Sequence, residues 1–113
     1  MIATSNIHRN SIGTAANMVA NGEATINLWI GYTDFYVQGR AQEYHVQFFP
    51  FYGKFHLHCN CPAGIRDASC YHVARVWTFL QTAFANPDHT VLLNNAIQQF
   101  QRKEAKRAAR SAA

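Results

Sequence analysis

Three cysteines and one histidine constrain this chain more than any other feature. Cys59, Cys61 and Cys70 are its only cysteines, they fall within twelve residues, and His72 follows at once. The order is Cys-Xaa-Cys, eight residues, then Cys-Xaa-His. An odd cysteine count leaves any disulfide framework with a spare thiol. Three thiolates and one imidazole instead make a tetrahedral donor set, and Zn2+ is the ion best suited to it. One structural zinc on Cys59, Cys61, Cys70 and His72 is therefore the expected cofactor. Four protein ligands fill the shell, whereas a catalytic zinc keeps a position open for water or substrate.

The spacing dictates local structure. Residues two apart in a strand point the same way, so Cys59 and Cys61 can reach one ion from an extended segment. Residues two apart in a helix diverge by about 200°. Cys70 must then precede a helix, with His72 in or just before its first turn. Pro62 and Gly64 let the chain turn away and return. Three thiolates, Zn2+ and a neutral imidazole sum to −1, a charge that the positive end of a helix favours. His56 and His58 lie just before Cys59; either could replace a ligand, although ordinary strand histidines are the default reading.

The flanking sequence predicts an α+β domain. Ten of the 15 aromatic residues fall between Trp29 and Phe55, where they favour strands. Candidate strands are 24–30, 34–37, 43–49 and 51–59. Gly31, Gly39 and Gly53 mark turns or bulges, and Pro50 is expected at a strand end. A short helix over 11–21 has Ser11 as its cap, Ile12, Ala15, Ala16 and Val19 as its buried stripe, and Gly22 as its stop. A second helix over 69–85 buries Val73, Val76, Trp77, Leu80 and Phe84, with Arg75 roughly opposite. After Asn86-Pro87, Asp88 is placed to cap a last helix, with Leu93, Ala96, Ile97 and Phe100 as its stripe. The fold expected is a small antiparallel sheet, a zinc-pinned strand–helix unit, a short N-terminal helix and a C-terminal helix with a basic end. No linker divides the chain, so 1–101 reads as one domain, with its metal motif at 59–72, and 102–113 as a basic helical tail.

The residues around the cysteines resemble the SWIM zinc finger. The pattern reads Cys59-Asn60-Cys61-Pro62, then Cys70-Tyr71-His72-Val73-Ala74. Upstream, Val37-Gln38-Gly39 and Tyr44-His45-Val46 resemble the family's Val-Xaa-Gly and Tyr-Xaa-Val elements. The resemblance spans about 35–76 and implies a strand pair followed by a helix around one zinc held by Cys59, Cys61, Cys70 and His72. SWIM domains occur in transposases, chromatin-remodelling ATPases and recombination accessory proteins, where they bind DNA or other proteins. Tyr71 departs from the basic residue that many members carry there.

Charge supplies the functional expectation. The chain has ten Lys and Arg against six Asp and Glu, a formal net charge of +4. Up to Gln101, five cations cancel five anions. Arg102, Lys103, Lys106, Arg107 and Arg110 face only Glu104. On a helix these five cations share an arc of about 140°, a ridge able to lie along phosphates. The expected function is a non-enzymatic, zinc-binding nucleic-acid binder, with DNA or RNA as partner. The alternative is a protein-interaction module within a larger DNA-processing or regulatory assembly, in which Phe49, Phe51 and Tyr52 dock a partner protein or a second copy as a homodimer. No catalytic signature is present. No run of apolar residues reaches the roughly 20 of a membrane span, and the polar first ten residues do not read as a secretory signal. Reduced thiolates imply an intracellular setting, in the cytoplasm, nucleoid or nucleus.

Overall fold

The computed structural model describes residues 1–51, 54–66 and 68–112. Tyr52, Gly53 and Asp67 lie outside the described residues, so the turn expected at Gly53 does too.

The chain is α+β. Five strands, β1 (Ile2–Ala3), β2 (Ile26–Ile30), β3 (Asp34–Gln38), β4 (Glu43–Phe51) and β5 (Lys54–Cys59), form one antiparallel sheet in the order β1-β5-β4-β3-β2. The helices are α1 (Arg9–Ala20), α2 (Pro62–Ile65), α3 (Tyr71–Ala85) and α4 (Pro87–Ala112). Alternation sorts the sheet into two faces. Phe35 and Val37 of β3, Val46 and Phe48 of β4, and Leu57 and Cys59 of β5 are all buried. Val73, Val76, Leu80 and Ala83 of α3 complete this core. The opposite face carries Asp34, Tyr36, His45, Gln47, His56 and His58, all only half-buried.

Pro50 sits inside β4, one residue from its end, and is buried. The Phe48 N–H donates to the Thr33 carbonyl on the β3 side. Two residues on, Pro50 faces the same way where β3 has already ended, so its missing N–H costs the sheet nothing. That distal half of β4 runs beside α4, where the Phe49 ring meets Phe100 at 6.1 Å. Phe49 is therefore partly covered within the chain. The side chain of Phe51 and all of Tyr52 lie outside the described residues.

Several local expectations give way to tertiary contacts. β1 was not foreseen; its two residues pair with His56 and Leu57 of β5. α1 starts at Arg9, two residues before the expected cap, because a long-range partner satisfies its N-terminus. Ser69 Oγ accepts the His8 N–H at 2.9 Å and donates to Ser11 Oγ at 3.0 Å. α1 buries Ala15 and Met18, while Ile12, Ala16 and Val19 stay exposed; Met18 borders the α1–β2 connection and the end of β3. Gly22 ends α1 as expected, with φ +78° and a Glu23 N–H to Met18 carbonyl bond. Arg75 lies half-buried, its Nε donating to the Ala24 carbonyl at 3.2 Å. Burial lowers its pKa from the ordinary arginine range.

Asn86, not Asp88, caps α4. Its side-chain oxygen accepts the Asp88 N–H at 2.9 Å, Pro87 takes the first helical position, and Asp88 sits in the first turn. One residue thus separates α3 from α4. Leu93 is fully buried, and Ala96, Ile97 and Phe100 follow it along the same half-buried face. His89 Nδ1 pairs with the Tyr32 hydroxyl in the β2–β3 turn. Leu93→Ala should cost about 2–5 kcal/mol through lost burial and a cavity; urea denaturation monitored by tryptophan fluorescence measures it.

Candidate metal centre

Each ligand-type side chain reaches the site from a different structural position. Cys59 is the last residue of β5. Cys61 follows one coil residue later with extended backbone, φ −71° and ψ 165°, and serves as the N-cap of α2. The strand itself therefore stops at Cys59, but the chain stays extended long enough to aim Cys61 at the same point. Cys70 is the N-cap of α3, and His72 is the helix's second residue. α3 starts two residues later than the 69–85 expected, because the Cys70 sulfur itself does the capping.

The four side chains are buried and their donor atoms all lie within 4.8 Å of one another. Each sulfur accepts one backbone N–H. Cys61 N–H reaches Cys59 Sγ at 3.5 Å, Gly64 N–H reaches Cys61 Sγ at 3.3 Å, and Val73 N–H reaches Cys70 Sγ at 3.5 Å. These donors lie at the turn and at two helix starts, where N–H groups have no helical partner. They favour thiolate over thiol. The close neighbour Cys59 holds the Cys70 thiol down to about 4, whereas Cys70 and then burial push Cys59 up. Two neighbouring sulfurs sharing one proton behave in this way.

His72 supplies the sharpest test of fit. Both ring nitrogens are buried, and neither has a hydrogen-bond partner among the described residues. An unsatisfied buried polar atom costs about 1–3 kcal/mol, and a metal on one nitrogen removes that cost for it. The ring is fixed between Tyr44, at 4.6 Å, and Tyr71, at 4.0 Å. Tyr44 is fixed in turn by Gly39, where any Cβ would stand 2.7 Å from the tyrosine ring. The spaced residues Gly39 and Tyr44 thus act as one support for His72. Gly64 is equally constrained: a Cβ there would meet the Cys59 carbonyl oxygen at 2.0 Å. Only glycine lets α2 fold back onto the end of β5.

His56 and His58 point away from this cluster. Cys59 and Leu57 face the core, so the intervening residues face the opposite side of the sheet, and His58 lies across from Gln47. Neither substitutes for a ligand. His45 also lies on that outer face, with Nε2 2.8 Å from Asp34 and its ring stacked on Tyr36. The sequence alone assigned it no partner, because an 11-residue separation across a hairpin carries no local signal.

A cleft of about 580 Å³ opens beside the cluster, bordered by Cys61, Cys70 and His72 and walled by Arg40, Arg66 and Tyr71. Burial raises the Tyr71 pKa, and the backbone and charge of neighbouring Arg40 oppose the rise. The five cations expected at the C-terminus are all exposed on α4. Lys103, Lys106, Arg107 and Arg110 border one shallow groove, and Arg102 borders another with Gln98 and Gln101. Arg107 pairs with Glu104 at 3.3 Å, an exposed contact that solvent weakens. Among the described residues no helix is long and apolar enough to cross a membrane.

No protein-family model, curated protein or solved structure matches the chain. Gly64→Ala should displace α2 from β5, cost about 1–3 kcal/mol and lower the metal content of the purified protein. Thermal melting and elemental analysis on the same sample check both effects.

Proposed function

We propose that the protein is a small, non-enzymatic, SWIM-like zinc-binding protein that contacts nucleic acid through Lys/Arg–phosphate interactions. In this reading Cys59, Cys61, Cys70 and His72 hold one structural Zn2+. The donor set is the argument for zinc: three thiolates and an imidazole are soft-to-borderline ligands in a tetrahedral number. The ion would supply a cross-link between β5, α2 and α3. The chain's own residues orient the ligands, through the backbone donors on sulfur and the two tyrosines on His72.

The observation that carries the nucleic-acid reading is the free cationic end of α4. The helix has 26 residues, about 39 Å of length. Its half-buried stripe ends at Phe100 and Gln101, and every residue from Arg102 to Arg110 except Glu104 is exposed. Arg102, Lys103, Lys106, Arg107 and Arg110 therefore stand clear of the body, able to track a phosphate backbone. Five such contacts give a salt slope of about −4 to −5 on duplex DNA.

A second reading, a protein-interaction module, draws on β2. This sheet-edge strand has no charged residue, and its Leu28, Trp29 and Ile30 are 52%, 42% and 56% exposed. An uncharged edge strand with open apolar side chains is suited to pairing with another chain. A protein partner or a second copy would cover it.

Elemental analysis of freshly purified protein should find one zinc per chain. Chelation, or Cys70→Ser, should abolish the cooperative thermal transition, since binding free energy of a structural zinc is folding free energy. Fluorescence anisotropy with duplex DNA should give the salt slope above, and removal of 102–113 should flatten it towards zero. No binding at low salt, or equal binding after the truncation, would refute the role of α4.

A further inference from the structure

We propose that the cleft beside the metal centre holds one nucleotide of a single strand, with Arg40 and Arg66 on its phosphodiester. This deepens the nucleic-acid reading and rests on it, but it assigns a site separate from α4.

The cleft's volume, about 580 Å³, lies within the 300–1,000 Å³ typical of ligand pockets. Two guanidinium groups line it, and no described carboxylate does. Both arginines are exposed, and neither has an ion-pair partner among the described residues. Acidic side chains elsewhere are engaged: Asp34 with His45, Glu43 with Asn27, and Glu104 with Arg107. An unpaired guanidinium fork matches the oxygens of a phosphate.

The facing wall supplies neutral donors. The first turns of α1 place Asn10, Ser11 and Thr14 along the cleft. Ser69 Oγ receives the His8 N–H and passes its own proton to Ser11 Oγ. Ser11 is therefore held by a fixed partner, while its own hydroxyl proton donates to no described residue. Tyr71 adds an aromatic surface of the kind on which unpaired bases stack.

Charge arithmetic selects the class of ligand. The metal-loaded cluster carries −1, and the two arginines carry +2. Among the described residues the remainder is +1, which matches one phosphodiester group better than a doubly charged terminal phosphate. Shape selects the strand. A recess can take a base and its phosphate only from a chain whose bases are free to splay, while a duplex presents its phosphates on a convex surface suited to the ridge of α4.

The test uses the full chain and its Arg40→Gln, Arg66→Gln double variant. Both positions are exposed, so zinc content and melting temperature should match the parent's. Anisotropy is measured with a labelled mixed-sequence single-stranded DNA oligonucleotide and with the same sequence as a duplex, each at two salt concentrations. The double variant should lose roughly tenfold or more in affinity for the single strand. Its single-strand salt slope should fall by about 1–2, and its duplex affinity should stay within about twofold. Unchanged single-strand binding, or equal losses on both forms, would overturn the cleft assignment and leave the α4 reading intact. A parent protein that binds neither form at low salt would overturn both.

Discussion

Burial of three sulfurs and an imidazole at one junction is the constraint on which the rest of the structure depends. Such groups do not belong together in an apolar interior unless something satisfies them. Like-charged thiolates repel, and the two nitrogens of His72 have no hydrogen-bond partner among the described residues. One cation would relieve the repulsion and satisfy one of the two nitrogens. The junction also joins three elements: the end of β5, the four-residue α2 and the start of α3. α3 then carries Val73, Val76 and Leu80 onto the sheet, so the orientation of the main core helix follows from the position of its N-cap sulfur. In the zinc reading, metal binding and core formation are one cooperative event.

The supports of that junction explain two glycines that composition alone would treat as loop residues. Gly64 exists so that α2 can lie against the Cys59 carbonyl, which keeps Cys61 beside Cys59. Gly39 exists so that the Tyr44 ring can cross the β3–β4 turn and lie on His72. Neither needs a positive φ; both need the absence of a side chain. Val37-Gln38-Gly39 and Tyr44-His45-Val46 therefore have a physical reading. They position the ring that covers His72.

What the sequence made legible was governed by short-range periodicity. The two one-residue spacings predicted that Cys70 precedes a helix and that His72 falls in its first turn, and both hold. Strand alternation located β3, β4 and β5 to within a few residues, and the stripe of α4 ran through Leu93 as expected. Long-range partners were invisible. Ser69 caps α1 from 61 residues away, so local cap rules placed that helix two residues late. α1 buries Met18 in place of Ile12, beside the α1–β2 connection and the end of β3, whose positions no local pattern encodes. β1 is two residues long and exists only because β5 offers an edge. His89 and His45 acquired partners in the same way, across a helix–turn contact and a hairpin.

The distribution of cations separates two kinds of electrostatics that a net charge of +4 conceals. On α4 the charges are convex, solvated and close to one another. Charges so placed act on an anion at long range, are screened by salt and are indifferent to sequence. Arg40 and Arg66, although exposed, border an open cleft beside the cluster, where the placement of the two guanidinium groups matters as well as their charge. In the proposed nucleic-acid reading, the first arrangement would raise the rate of encounter and the second would discriminate among the shapes that arrive. The metal centre links them structurally. It builds the floor of the recess from Cys61, Cys70 and His72, and through α3 and the single residue Asn86 it fixes where α4 begins. In the zinc reading, loss of the ion would therefore disrupt the concave site, while the exposed basic end of α4 would keep its charge.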